Sequence, residues 1–454
     1  MESLMIHLDG FRSTLTGRAY APGDDGYDDV RRPWNLLIDQ HPAVVVVAES
    51  AADVQAAVRL ARENGVSFSV QSSGHGAVRP NDDGVVLNVT RLTGVDVDAE
   101  RKVARIDAGA RWRGVLEAAA PHQLAGLSGT APTVGAVGYT LGGGIGLLLR
   151  RFGFAADSVV AADVLTADGS LVRASRDENP DLLWALKGGG GNFGVVTSLE
   201  VQLYDMPAVH NGTMMYPGAR AAEVLRAWAD WTGQVSDDVT SAVMVMSFPP
   251  IPAVPEPLRG QHVAMLRATI AGGDGSALEP LRAALGEPLM DGFRTQTYLE
   301  AALSGNEPTD PMPAAGRSTG LAGLTDAAID ALLELAAPGS PVPGVDIRHL
   351  GGAAAKDHDG PLSHRDTPYI AAANALAPTP EQLAAVRQRL DDGFAALTEH
   401  RRPVSAFNFL SPGSTPDVVK SVFSEGAYQR LQEVKRTWDP DNVFQYTHNI
   451  PPAA

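Results

Sequence analysis

Two glycine-rich stretches, some sixty residues apart, constrain this chain more than anything else in it. Val66 to Val70 reads as a short buried strand and runs directly into Ser72-Ser73-Gly74-His75-Gly76. The second stretch runs from Gly135 through Gly138, Gly142, Gly143 and Gly144 to Gly146. Consecutive glycines let backbone N–H groups converge on an anion without any lysine. That matters in this chain, where Lys plus Arg number 36 against 53 Asp plus Glu, a formal charge of 36 − 53 = −17. A nucleotide diphosphate would otherwise meet an opposing field. The Rossmann pattern fails on spacing, because after Gly142 and Gly144 the sixth position is Leu147. The P-loop pattern fails as well: neither this run nor KGGGGNFG at 187–194 continues into Lys-Ser/Thr. Glycines at strand ends also make plain turns, so either stretch alone is a weak sign.

The remaining composition narrows the classes. At 454 residues, two domains are expected. A surface this acidic repels nucleic acid and anionic lipid, so neither is an expected partner. There are 0 cysteines, which excludes disulfides, thiolate metal sites and cysteine nucleophiles. The N-terminus lacks the layout of a signal peptide and no apolar run reaches spanning length, so a cytoplasmic protein is expected. No Gly-x-Ser-x-Gly elbow occurs. His358, His364 and the aspartates within 350–366 fit no metal-ligand spacing, so no metal site is expected.

Along the chain, strands are predicted at 43–47, 66–70, 85–89, 103–108, 159–166, 171–174 and 195–203. A helix starts at the Ser50/Asp53 capping box and ends at Gly65. After Met206-Pro207 alanine-rich helices near 219–233, 325–337 and 379–398 alternate with strands near 239–247, 262–270, 345–350 and 403–410. The tail is a helix stopped at Asp439-Pro440 and followed by an extended segment.

Taken together, SSGH, TAPTVGAVGYTLGGGIG, RRFGFAADSVVAADVLTADG, NPDLLWALKGGGGNFGVVTSLEVQLYDMP and the C-terminal WDPDNVFQYTHNIPP resemble the berberine bridge enzyme-like branch of the vanillyl-alcohol oxidase/para-cresol methylhydroxylase superfamily. The resemblance implies an α+β, two-domain flavoenzyme: a PCMH-type FAD-binding domain of two α+β subdomains at 1–206, a substrate domain with an antiparallel sheet flanked by helices at 207–411, and a returning segment at 412–454. It implies FAD held by Ser72, Ser73, Gly74, His75, Gly76, Thr130, Gly135, Gly138, Gly142, Gly143, Gly146, Val196 and Asn449, with one covalent link through His75. It also implies a small-molecule substrate, O2 as acceptor, and a monomer or homodimer. The reaction expected is hydride transfer to flavin and then to O2; the alternative is an oxygenase or oxidative cyclase of secondary metabolism without simple H2O2 release.

Two departures bear on the chemistry. Where many relatives carry a second flavin-linking cysteine, this chain has Ala131 before Pro132-Thr133-Val134-Gly135, which leaves a single attachment. Where relatives carry a Tyr-x-Asn-Tyr/Phe segment, this chain has Ala406-Phe407-Asn408-Phe409, so the first tyrosine is missing. Candidates for the base are Asp346, His349, Tyr446 and His448. If Val345 and Ile347 face the core, Asp346 and Arg348 face the other way. Burial beside apolar groups is expected to raise the Asp346 pKa.

Overall fold

The structure, a computed structural model, describes residues 8–305 and 308–454. Its first sheet contains β1 (Arg18–Tyr20), β2 (Val44–Val47), β3 (Phe68–Gln71) and β4 (Val85–Asn88) in the order β1-β2-β4-β3. β4 pairs in parallel with both β2 and β3. Strands in such a sheet are covered on both faces, and accordingly Val44, Val45, Val46, Val85, Val86 and Leu87 are fully buried. Helix α1 (Ala51–Glu63) packs on this sheet through Val54, Ala57, Val58 and Ala61, at helical spacing. Its start is the anticipated capping box. The Asp53 carboxylate also accepts from the amides of Thr16 and Gly17, pinning the N-terminal segment to it.

The second sheet is antiparallel and holds β5 (Val95–Asp98), β6 (Val103–Asp107), β7 (Val159–Leu165), β8 (Leu171–Ser175) and β9 (Val195–Gln202), in the order β5-β6-β9-β7-β8. Helix α2 (Ala136–Leu141) lies against it and carries part of the glycine run. The third sheet, of nine strands, has six main members. They are β10 (Val209–Pro217), β11 (Val239–Ser247), β12 (His262–Ala271), β13 (Ala314–Leu321), β14 (Gly344–His349) and β15 (Tyr369–Leu376). Their order is β10-β12-β11-β14-β15-β13, every pairing antiparallel.

Helices α3 (Ala221–Thr232), α4 (Asp326–Leu335) and α5 (Pro380–Ala396) cover one face of this sheet with a core that includes Trp228, Leu266, Val243 and Ile347. The opposite face turns toward the loops that carry Thr130 and Gly146. Helix α6 (Glu425–Trp438) returns to pack on residues 180–186, beside the second sheet.

One expected strand is not formed. A two-residue strand, Arg401–Arg402, ends just before residues 403–410, which themselves hold only a 3-10 turn at Phe407–Phe409. Asn408 explains the difference. Its amide donates to the Gly142 carbonyl at 3.0 Å, while its side chain accepts from the Gly144 amide at 3.2 Å and donates to the Tyr139 carbonyl at 2.8 Å. The segment is spent clamping the glycine run and cannot also extend a sheet ladder. Among the described residues, no helix is long and apolar enough to cross a membrane.

Candidate active site

At the end of β3 the chain turns into Ser72–Gly76, and Gly74 sits at φ 77. A Cβ there would lie 2.5 Å from the Pro33 Cα, so both backbone angle and space demand glycine. The turn forms one wall of a groove of about 400 Å³. Gly135, Gly138 and Gly142 form a second wall, Gly190, Gly191, Gly194 and Val196 a third, and Tyr446, Thr447 and His448 close it from the tail.

His75 occupies a defined position in this groove. Its ring stacks on Trp34 at 4.3 Å, with 13° between planes, and its Nδ1 lies 3.0 Å from Ser73 Oγ. Ser73 Oγ also accepts from the Gly135 amide at 3.3 Å, which ties the two glycine stretches together. Burial, aided by the nearby Arg111 charge, pushes the His75 pKa down to about 4. The imidazole is therefore neutral near pH 7 and keeps a nitrogen lone pair.

A second cavity, of about 130 Å³, opens between the loops at 129–130 and 145–147 and the nine-stranded sheet. Gly129, Thr130, Gly146 and Leu147 line it from one side; Asn211, Thr213, Thr240, Arg267, Thr269 and Arg348 line it from the other. Tyr139 stands between the two spaces. Its ring lines the groove, and a Cβ on Gly129 would lie 3.4 Å from its hydroxyl oxygen. That hydroxyl is buried without a hydrogen-bond partner, and burial pushes its pKa up, so it is a donor.

Asp346 does point away from the helical core, as strand alternation predicts. Its environment is not the one expected. Arg267 Nη2 donates to Oδ1 and Arg348 Nε to Oδ2, each at 2.6 Å. Burial pushes this carboxyl up, but the two guanidiniums outweigh it and hold the pKa below the usual range. The expectation of a raised pKa is thus corrected: Arg348 on the same strand and Arg267, which β14 alone does not reveal, together reverse the sign. His349, three residues along, alternates to the opposite face of β14 and lies at the edge of the second cavity, which it also lines. It stacks on Tyr369 at 5.5 Å, and its Nε2 lies 3.1 Å from Arg150 Nη1. An arginine can only donate, so Nε2 is the acceptor and the proton sits on Nδ1. Burial and Arg150 push the His349 pKa down to about 3.

Of the residues expected to hold FAD, Ser72 to Gly76, Gly135, Gly138, Gly142 and Val196 line the groove. Thr130 and Gly146 line the second cavity instead. Gly143 faces Ala406, whose Cβ would lie 3.3 Å from a Cβ added there. Asn449 adjoins the groove-lining Thr447 and His448 and carries a buried oxygen with no partner. Tyr446 lines the groove under the Arg79 guanidinium, 4.0 Å from its ring centre. The sequence reading missed Gly190, Gly191 and Gly194 as groove residues, although their KGGGGNFG run is part of the pattern that carries the resemblance. It also missed Tyr139 and Asn408.

The groove fits FAD on its own geometry. Gly76, Gly138 and Gly191 each face open space where a Cβ would stand, and side chains there would fill the groove. Ser72 Oγ and Asn449 Oδ1 are buried polar atoms awaiting partners. Fold and groove define an FAD-binding oxidoreductase of two domains, with a separate small-molecule cavity beside the cofactor site. Residues 42–175 match the family described as FAD binding domain, and residues 407–451 the family described as Berberine and berberine like. The chain belongs to the berberine bridge enzyme-like FAD-linked oxidases. It is 30% identical over 464 residues to (R)-6-hydroxynicotine oxidase of Paenarthrobacter nicotinovorans, covering 97% of both chains. Among solved structures, 6-hydroxy-D-nicotine oxidase from Arthrobacter nicotinovorans superposes with TM-score 0.83 at 26% identity, covering 97% of this chain and 98% of that one. Glucooligosaccharide oxidase from Acremonium strictum, described with a 6-S-cysteinyl, 8α-N1-histidyl FAD, superposes with TM-score 0.83 at 23% identity over 96% and 98% of the two chains.

Proposed function

We propose that this protein is an oxidase that carries FAD on a single covalent link to His75 and oxidises a small molecule held in the second cavity, with O2 as final acceptor. The observation that carries the reading is the state of His75: a neutral imidazole, fixed on Trp34, inside a glycine-walled groove. Such a nitrogen is a competent nucleophile near neutral pH. The histidyl flavin named for the Acremonium strictum enzyme supports the same assignment. With 0 cysteines in the chain, a cysteinyl link has no residue to form it.

Bound FAD supplies the redox chemistry, accepting a hydride equivalent from substrate and passing electrons to O2. The chain's own residues bind, orient and shield. The amides of the glycine walls receive the pyrophosphate. Tyr139, a protonated donor between groove and cavity, orients an acceptor oxygen on the substrate. Asp346 is a positioning residue, holding Arg267 and Arg348 in place, and its depressed pKa makes it a weak base. His349 is held by Arg150 and borders the second cavity. Tyr446, on the groove wall, is assigned to proton handling at the cofactor, whereas His448, whose pKa burial lowers to about 4, is a weak base like Asp346.

The test uses protein as purified. Acid-precipitated, washed protein should stay yellow, with intact mass raised by one FAD, and His75→Ala should release its flavin on precipitation. Enzyme reduced with dithionite and exposed to air should reoxidise, with one H2O2 formed per flavin. Wild-type protein that shows only the apo mass overturns the covalent link. Reoxidation without peroxide overturns the oxidase reading.

A further inference from the structure

The turn that carries His75 is not held by its own strand alone. Pro33 and Trp34 pack directly on it: a Cβ on Gly74 would lie 2.5 Å from both the Pro33 Cα and the Trp34 nitrogen. The Trp34 amide donates to the Ser73 carbonyl at 3.2 Å. The same short segment is tied on its other side to the nine-stranded sheet. The Met312 amide donates to the Trp34 carbonyl at 2.9 Å, and the Leu36 amide to the Met312 carbonyl at 3.1 Å. The buried Asn35 side chain brackets Ala314, donating to its carbonyl at 3.0 Å and accepting from its amide at 3.3 Å. Residues 33–36 thus form a splint between the cofactor turn and the start of β13, with their backbone groups already committed.

The splint delivers an indole to His75. The two rings lie face to face, 4.3 Å apart and 13° from parallel. The stack sets the plane of the imidazole, and the contact between Nδ1 and Ser73 Oγ sets its rotation within that plane. The lone pair of an imidazole nitrogen lies in the ring plane. A partner on the face therefore restrains the ring without covering the atom that must react. Trp34 Nε1 is itself buried and has no hydrogen-bond partner among the described residues. The indole is held by packing and by its backbone, so another flat ring can take its place without losing a hydrogen bond.

We infer that Trp34 is a positioning residue for flavin attachment, holding the His75 imidazole in the plane from which a ring nitrogen reaches the flavin 8α-methyl carbon. The inference rests on the covalent reading of His75 given above. Attachment breaks one C–H bond of that methyl group and the N–H bond of the imidazole, and forms one C–N bond. The two electrons and two protons released pass through the flavin to O2, which becomes H2O2. Such a step depends on how closely the nitrogen is aimed at the carbon, because a ring free to tilt spends little time in the reactive geometry. Leucine at position 34 fills part of the space but offers no flat face.

Trp34→Leu and Trp34→Phe, as purified, are compared with wild type by intact mass under denaturing conditions, with total flavin read beforehand from visible absorbance. Trp34→Leu should hold a full complement of flavin but only about a tenth or less of the wild-type covalent fraction, the remainder being released on acid precipitation. Trp34→Phe should restore most of the covalent fraction. Trp34→Met stands in if Trp34→Leu does not fold, since its flexible thioether fills irregular gaps without a planar surface. A wild-type covalent fraction in either non-aromatic variant overturns the inference. So does a Trp34→Phe variant as poorly attached as Trp34→Leu at full flavin content, the result a purely structural role would give. Loss of total flavin in both non-aromatic variants overturns it as well, by making Trp34 a binding residue. The wild-type spectrum separates this from the earlier reading: a protein of apo mass alone overturns the His75 link itself, whereas one carrying a single FAD leaves that link standing whatever the Trp34 variants show.

Discussion

Ala406 shows how a single residue can be read correctly and still mislead. Its sequence position suggests a catalytic tyrosine lost from an open site. The structure buries Ala406 completely, against Gly143, in the core shared with Leu362 and Phe407. Restoring the tyrosine would force a large ring into close-packed space, and overpacking of this kind costs about 1–3 kcal/mol or more. Ala406→Tyr is therefore expected to lower the melting temperature without speeding flavin reduction; a faster variant of unchanged stability would refute this. His75 was legible because its whole motif surrounds it in sequence. The orientation of Asp346 was legible from strand alternation, but its pKa was not. The guanidinium that helps depress it, Arg267, is 79 residues away, and only the sheet register brings the two together.

At the scale of elements, most strands and helices follow from local pattern, because each buries one regular face. Residues 403–410 broke that rule: their apolar content reads as a strand, while Asn408 commits them to the glycine run. The C-terminal element depends on a different device. Lys435 and Asp439 are both fully buried, one turn apart on α6 and its end, with Nζ 2.6 Å from Oδ2. Lys435 also donates to the Asn192 carbonyl at 2.6 Å, and Asp439 accepts from the amides of Val443 at 2.7 Å and Phe444 at 2.9 Å. The pair thus joins α6, the glycine wall at 190–194 and the tail that closes the groove. Removing one partner leaves the other charge buried, typically at a cost of about 3–5 kcal/mol. Lys435→Met should show that loss in denaturant unfolding and raise the fraction of protein without flavin. Wild-type stability would mean the pair contributes nothing net.

Across the whole molecule, two histidines in different units share one property: each is buried and held neutral. His349 sits on the nine-stranded sheet among Arg150, Tyr369 and Trp228, and its pKa is pushed down to about 3 by burial and the Arg150 charge. His448 sits on the tail against Phe407, and burial pushes its pKa down to about 4. In the unfolded chain both titrate near 6.5, so below that pH the unfolded state binds protons the native state refuses. Stability is then full above about pH 7 and declines as pH falls through the window between 6.5 and about 4. Each histidine contributes a slope of up to about 1.4 kcal/mol per pH unit. Asp346 does not blur this window. Its folded pKa is lowered, so its contribution is present above the ordinary carboxyl value of 3.8 and is lost only at lower pH. Thermal unfolding of the holoenzyme from pH 8 to pH 4.5 should show a flat region and then a decline. His349→Gln keeps an acceptor for Arg150 but removes one titrating group, and should shallow that decline by about one proton; His448→Gln should do the same independently. Because the two residues lie in separate cores, their effects should add, and a slope unchanged in either variant would show that the histidine in question is protonated in the folded protein.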